Sequence, residues 1–301
     1  MNIFKLRKFV CLPIILISFF SIESFSESIE EVVVKGSWRE KSANQEDSSF
    51  ILFSSKNVKA QSMKHFEQLS FLVPNLNFAA SDSRARYFQI RGIGERSGYQ
   101  GTPNSSVGLL IDDIDYSGQG GIATTFDVNQ IEVFRGPQGA RIGANALAGL
   151  IYIQTKDPTD TFEATSEATI GTYGTKSTGI ALGGPLDQNS NITYRIALRK
   201  DQADGFRKNY FLKRSDTSRK DETTRRLKVN WQLAGNTKIK FLISQVDLND
   251  PADIWTIDGS LNTLSDRPGM DSQKTNSYGM KIFHSFDRFE LQSFTSSTDT
   301  D

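Results

Sequence analysis

The residues best suited to chemistry lie in four places. Asp112, Asp113 and Asp115, with Tyr116 beside them, gather three carboxylates and a phenol after an apolar run. Such a group could open a calcium loop or supply an acid–base pair. Aligned as an EF-hand, Asp113, Asp115 and Ser117 fit the opening, but the twelfth place is Thr124 where a bidentate glutamate is needed. As an acid–base pair, the carboxylates have no neighbouring histidine or nucleophile. Gly92 and Gly94 suggest a dinucleotide loop, yet the next glycine, Gly98, falls one place late and no helical pattern follows. No P-loop lysine follows any glycine loop. The histidines, His65 and His284, are far apart, and the single cysteine, Cys11, sits in an N-terminal apolar run. Without a nucleophile–base arrangement, the residues point away from an enzyme and imply neither a cofactor nor a metal.

The elements that carry these residues begin with an export signal. Lys5, Arg7 and Lys8 precede the apolar run Phe9–Phe20, and Ser24-Phe25-Ser26 offers small residues for cleavage, so residues 1–26 read as a signal peptide. The run is too short for an uncleaved anchor, which needs about 20 residues. Cleavage removes Cys11, leaving a mature chain without disulfides that suits the bacterial envelope. Charge is balanced at 35 basic and 35 acidic residues, so nothing favours nucleic acid as a partner. Ile29, Glu30, Glu31, Val32, Val33 and Val34 form a short β-prone segment, and the polar stretch to residue 49 reads as a linker. A tethered strand of this kind can be captured on the edge of a partner's sheet. Phe50–Phe53 predicts a strand, and Ser54 or Ser55 caps a helix to about Leu72 with Val58, Met63, Phe66 and Leu69 on one face. His65 on that helix reads as a packing or surface residue. Tyr87–Gly94 and Val107–Ile111 predict further strands.

The centre of this organisation is the passage after Gln130, IEVFRGPQGARIGANALAGLIYIQTK. Two apolar strands are joined by Gly136, Pro137, Gly139 and Gly143, read as turn residues whose glycines permit positive φ and close approach. The passage closely resembles the plug-domain signature of TonB-dependent outer-membrane receptors, IEV-RGP-G-LYG--A-GG-INI-TK. Arg141 and Ile142 stand where Leu-Tyr is usual, and Ala148-Gly149 replaces Gly-Gly. VPNLNF (73–78), YFQIRG (87–92) and VGLLIDDID (107–115) resemble other plug segments, and residues 29–34 resemble the TonB box. The resemblance implies that three loops, Ser81–Arg86, Glu95–Ser106 and Ser117–Thr124, face an outer vestibule. Arg84, Arg86, Arg96, Tyr99 and Gln100 would there contact an acidic or catecholate ligand. Arg91, Glu132 and Arg135 resemble plug charges that pair with the barrel wall, and Asp112, Asp113 and Asp115 a segment where acidic residues end a strand. The mature N-terminus reaches the box at once, so the resemblance implies a transporter without a signalling domain.

After Pro158 the pattern changes. Glu163–Ile170, Thr175–Gly184, Asn191–Arg199, Arg225–Ala234, Thr237–Leu248, Asn276–Phe286 and Phe289–Thr295 have strand length. Ile192, Tyr194, Ile196 and Leu198 alternate with Thr193, Arg195, Ala197 and Arg199, as Ile239, Phe241 and Ile243 do with Lys238, Lys240 and Ser244. Such alternation marks a sheet with one apolar face. Short turns (188–190, 235–236) alternate with long polar loops (202–224, 249–274), which favours a barrel over a sandwich. The expected fold is an α+β plug domain followed by an incomplete antiparallel transmembrane β-barrel. Its divisions are 1–26 signal, 27–49 box and linker, 50–158 plug and 159–301 barrel strands, the N-terminal part of a receptor. The expected function is energised outer-membrane uptake, with ferric siderophore the commonest substrate class of the family. The partners so implied are the TonB protein of the inner-membrane complex, outer-membrane lipid and the small-molecule substrate. The rivals are a non-transporting fragment or a periplasmic interaction module with a plug-like fold.

Overall fold

The structure, a computed structural model, describes residues 33–36, 41–42, 45, 48–61, 63–80, 83–97, 104–142, 145–187, 190–256 and 258–301. The expected signal peptide, Ile29, Glu30, Glu31, Val32, Tyr99, Gln100 and Gly143 lie outside the described residues.

Short β-branched runs pair first. β1 (Val33–Val34) lies antiparallel to β2 (Lys41–Ser42). β3 (Phe50–Ser54) leads into α1 (Ser55–Ala60), whose first turn is capped where the Ser54 hydroxyl accepts the Asn57 N–H at 3.3 Å. α2 (Phe66–Ser70) follows as a separate helix rather than as a continuation to Leu72. The break has a tertiary cause. The Lys64 carbonyl accepts the Thr125 N–H at 3.0 Å and His65 forms a β-bridge to Thr124, so these groups are withdrawn from a helical ladder.

β4 (Leu76–Ala80) and β5 (Ala85–Ile90) form a hairpin. β5 stops short of the expected Gly94 because Arg91 turns the chain in the left-handed region at φ 54°. β6 (Val107–Ile111), β7 (Ile114–Asp115), β8 (Val128–Phe134) and β9 (Gly149–Thr155) join β3 in a five-stranded sheet of order β3-β8-β9-β6-β7. Only β6 and β9 pair in parallel. Between β8 and β9 lies the short helix α3 (Gly139–Ile142). Ile131, Val133, Ile151 and Ile153 from the central strands are fully buried with Phe66 and Leu69 of α2.

The turn region corrects one expectation. Gly136 and Gly139 have ordinary φ and open space where a Cβ would stand, and Pro137 is exposed. The glycine that close packing requires is Gly149, where a Cβ would lie 2.3 Å from the Phe134 carbonyl oxygen and 2.5 Å from Ile90 Cδ1. Among the described residues of this connection, positive φ falls on Ala146, at 68°.

The rest of the chain is a second sheet. β10 (Glu163–Ile170), β11 (Lys176–Pro185), β12 (Ile192–Ala203), β13 (Lys208–Asn209), β14 (Lys220–Ala234), β15 (Thr237–Ala252), β16 (Asn262–Thr263), β17 (Gly269–Ser285) and β18 (Glu290–Thr300) complete the chain. All but β13 and β16 form one antiparallel sheet of seven strands in the order β10-β11-β12-β14-β15-β17-β18. β10 and β18 remain its two edges, so the described sheet is not closed. β14, β15 and β17 reach 15, 16 and 17 residues, consuming much of the loops expected at 202–224 and 249–274. Strands of about 9–11 residues suffice to cross a bilayer. The extra length lies at the long-loop end, where Ala203 still faces Lys220 and Ala252 faces Gly269. β13 and β16 pair in parallel and tie the two long loops together.

This sheet has inverted polarity. Arg195 and Arg199 are each only 3% exposed on one face of β12, whereas Leu198 between them is 44% exposed. Glu222, Thr224, Arg226, Lys228 and Asn230 line the buried face of β14. Phe241, Ile243, Tyr278 and Met280 point the other way and are exposed. A water-soluble sheet buries its apolar face. A sheet that hides charge and displays Leu, Ile, Phe and Met is one whose outside solvent is hydrocarbon.

Candidate functional site

The candidate site is the surface where the polar inner face of the long sheet meets the mixed-sheet domain. Each contact begins at a turn of that domain. At the long-loop end, the turn before β5 presents Ser83 and Arg84. The Arg84 guanidinium lies 2.7 Å from Glu67 and 3.7 Å from buried Asp250, and also pairs with Glu222. Ser83 donates its N–H and hydroxyl to Asp271 at 3.1 and 2.9 Å, and Lys220 reaches Asp250 at 3.0 Å. Glu67 also accepts the Ala85 N–H at 3.1 Å. Burial alone would raise the Glu67 pKa, but His65, Arg84 and the Ala85 N–H outweigh it and hold the carboxyl at about 2.

His65 begins α2. Its Nδ1 accepts the Glu67 N–H at 3.2 Å, so Nε2 carries the proton and donates to the Gly121 carbonyl at 3.0 Å. Burial pushes its pKa down to about 4 despite Glu67. It is a neutral structural cap, in keeping with the packing role expected of it.

Further along, the turn before β8 drives a tooth into the wall. The Phe126 ring fills a notch of small residues, Gly179, Ala181 and Ala197. A Cβ at Gly179 would lie 2.6 Å from that ring, and the Arg199 guanidinium sits over it at 5.2 Å. The next residue, Asp127 (φ 57°), receives a two-point bond from Arg195 at 2.8 and 2.5 Å, and Arg226 donates to the Phe126 carbonyl. A bidentate guanidinium–carboxylate pair fixes direction as well as distance.

A third group uses the carboxylates after β6 and β9. Asp112 accepts from the Thr155 N–H and hydroxyl at 2.9 and 2.6 Å and from Lys228 at 2.8 Å. Asp157 lies 3.1 Å from Lys228 and 3.0 Å from Lys240, and Asp113 pairs with Lys281. Burial would raise the Asp157 pKa, yet the two ammonium groups keep it well below the carboxylate range. Asp115 stays local, accepting from Ser117 and Asn145. The carboxylates that look catalytic in sequence therefore end strands and, for Asp112 and Asp113, grip the wall.

A fourth group holds the N-terminal segment. Glu132 is fully buried in β8, and its two oxygens accept the Lys35 and Gly36 N–H groups, each at 2.7 Å. Gln130 donates to the Val33 carbonyl at 3.0 Å, and Val34 is buried against Leu110, Phe134 and Leu150.

Residues 42–150 match the family model of the TonB-dependent Receptor Plug Domain. Over that span the chain carries the plug domain of the TonB-dependent receptor family. Its fold is the plug followed by antiparallel strands of an outer-membrane barrel, and the family is one of transport receptors. The pesticin receptor of Yersinia enterocolitica is 26% identical over 179 residues, covering 59% of this chain and 26% of that protein. The ferripyoverdine receptor of Pseudomonas aeruginosa is 21% identical over 168 residues, 56% of this chain and 20% of its own length. The crystal structure of the ferric yersiniabactin uptake receptor from Yersinia pestis superposes with a TM-score of 0.76 at 20% identity, covering 86% of this chain and 42% of that one. The chain thus spans about a quarter of the length of the pesticin receptors it matches.

Against this family frame the expected site residues divide. In the plug, Arg84 is engaged by carboxylates, Arg86 is half-buried and Arg96 is exposed. Arg91 is exposed at its turn, its N–H donating to the Asn75 carbonyl at 2.9 Å. Glu132 bonds the N-terminal segment, and Arg135 bonds Ser49 through its backbone N–H at 2.7 Å and its guanidinium at 2.9 Å. Among the described residues, ion pairs between plug and wall are made by Arg84, Asp112, Asp113, Asp127 and Asp157 on the plug side, not by the expected Arg91, Glu132 and Arg135. Asp127 and Asp157 were not singled out from sequence. Their one local signal is position, each beside a strand end at the border of an apolar run.

Proposed function

We propose that this chain is the N-terminal part of an outer-membrane receptor that takes up a ferric siderophore using energy delivered by the TonB protein. The observation that carries the reading is a wall whose buried face is charged, wrapped on a plug through ion pairs, the Phe126 tooth and a small apolar patch. Such an interface can be opened and rehydrated. Substrate lands at the long-loop end, near Arg86 and Arg96 and the loop that carries Tyr99 and Gln100. Arg84 bridges that region to α2 through Glu67. Ile29, Glu30, Glu31, Val32, Val33 and Val34 form the strand that TonB captures, its last two residues belonging to the segment that Gln130 and Glu132 hold. The division into box and linker (27–49), plug (50–158) and wall (159–301) belongs to the same proposal. Relatives named for pesticin, ferripyoverdine and ferric yersiniabactin support the substrate class.

The test is Val33→Pro in the receptor, with iron-59 uptake and surface binding followed on cells that depend on it. Proline removes a strand donor. Uptake of the labelled chelate should fall to the level of a strain without TonB while surface binding is kept. Uptake at the wild-type rate would overturn the assignment of the box.

A further inference from the structure

Three lysines sit together on the inner face of three adjacent wall strands. Lys240 of β15 and Lys281 of β17 face each other directly across the ladder, and Lys228 of β14 faces Leu242, one inward step along β15 from Lys240. Like charges placed opposite one another destabilise a sheet, and nothing in strand geometry requires them here. They are tolerated because Asp112, Asp113 and Asp157 of the plug neutralise them. All six residues border one cavity of about 820 Å³ between plug and wall. Cavities of roughly 300–1,000 Å³ accommodate drug-sized ligands. Aromatic rings flank two of the ammonium groups: Phe283 lies 5.8 Å from both Lys240 and Lys281, and Phe294 lies 5.3 Å from Lys281.

We propose that Lys228, Lys240 and Lys281 form an anion-binding subsite on the inner wall, which the plug carboxylates occupy in this conformation and vacate when the plug shifts. The inference rests on the receptor reading and specifies a transit station within it. Its ligand is a polyanionic chelate with aromatic oxygen donors, since the site offers three cations, two of them, Lys240 and Lys281, with aromatic rings beside them. Plug carboxylates and cargo then compete for the same charges. Withdrawal of the plug leaves three adjacent ammonium groups exposed to each other, and an entering anion relieves their repulsion. The wall holds the cargo partway along the passage until the carboxylates return.

The test uses tripolyphosphate as the probe and the purified full chain in detergent, with binding followed by titration calorimetry at low ionic strength. Asp113→Asn with Asp157→Asn keeps side-chain shape and removes two competing charges. This variant should bind tripolyphosphate at least tenfold more tightly than wild type. Adding Lys240→Gln and Lys281→Gln should abolish the gain. No gain, or a gain that survives loss of the lysines, overturns the proposal. Should the double variant not fold, Asp113→Asn alone, which frees only Lys281, decides by a smaller gain of the same sign and the same lysine dependence. Neither cargo nor TonB is needed for this measurement. A negative result would thus remove the subsite and leave the receptor reading standing, whereas failure of the Val33→Pro experiment would leave anion binding intact.

Discussion

Glu132→Gln isolates what holds the N-terminal segment to the plug. Fixing the backbone of Val33–Gly36 costs about 1–1.5 kcal/mol per residue, or roughly 4–6 kcal/mol. Burying Val34 returns about 2 kcal/mol. The two N–H bonds to the Glu132 carboxylate, each 2.7 Å long, contribute about 1.5–3 kcal/mol apiece. The segment is therefore docked by a margin of a few kcal/mol at most. In the glutamine variant one oxygen still accepts, but the new amide turns a donor toward a donor. We expect a loss of about 3 kcal/mol, or roughly a hundredfold in the opening equilibrium. Hydrogen exchange at Lys35 and Gly36 should accelerate by that factor, while Ile151 and Ile153 in the central strand keep their protection. Unchanged exchange at Lys35 and Gly36 would refute the carboxylate latch. Equal acceleration in the central strand would show that Glu132 supports the whole plug instead.

Three further outcomes follow from the geometry. Gly149→Ala forces a Cβ against the Phe134 carbonyl and should cost about 2–3 kcal/mol by denaturant titration, whereas Gly136→Ala, with open space, should stay within about 0.5 kcal/mol. Leu198→Arg puts a charge on the outward face and should destabilise the wall refolded in lipid vesicles by about 2–4 kcal/mol, an effect absent if that face meets water. For His65, the folded pKa of about 4 lies below the unfolded value of 6.5, so the unfolded chain binds more protons between them. Plug stability should fall as pH drops from 6.5 to 4, by up to about 3 kcal/mol, and His65→Asn should flatten that slope. Below pH 4.5 the Glu67 contribution is lost as well, down to its folded pKa of about 2.

Much of this architecture could be read from residue order, and the gaps have physical causes. The alternation of Ile196 and Leu198 with Arg195 and Arg199 announces a one-faced strand. It does not say how far the strand continues once the outward face turns polar while the inward face still packs on the plug, so β14, β15 and β17 outrun the expected boundaries. The apolar spacing of Val58, Met63, Phe66 and Leu69 is real, and all but Met63 are buried. The helix nevertheless breaks, because pairing with Thr124 and Thr125 about sixty residues away takes over the backbone at Lys64 and His65. The pairs Asp127–Arg195 and Asp157–Lys228 likewise join residues far apart in the chain, and no periodicity encodes such partners. Glycines invited the opposite error. Gly136 and Gly139 look like obligatory turn residues, but the backbone there asks nothing that alanine could not supply.

The charged interface has a consequence for a plug that must shift. Apolar contact would resist separation by about 25 cal/mol for each Å² returned to water. Among the described residues, the apolar part comprises the Phe126 notch and Leu242, Val246, Leu248 and Phe294 packed against the plug core. Elsewhere the groups parted are carboxylates and cations, whose desolvation largely cancels their attraction when paired and is recovered when water enters. Separation along these faces therefore costs far less than its area suggests. The bidentate Asp127–Arg195 pair and the aromatic tooth still define one seated position. A purely apolar interface of equal size would hold that position more firmly and release it only at the cost of unfolding. A purely polar one, without the tooth, would release readily but reseat without a unique register.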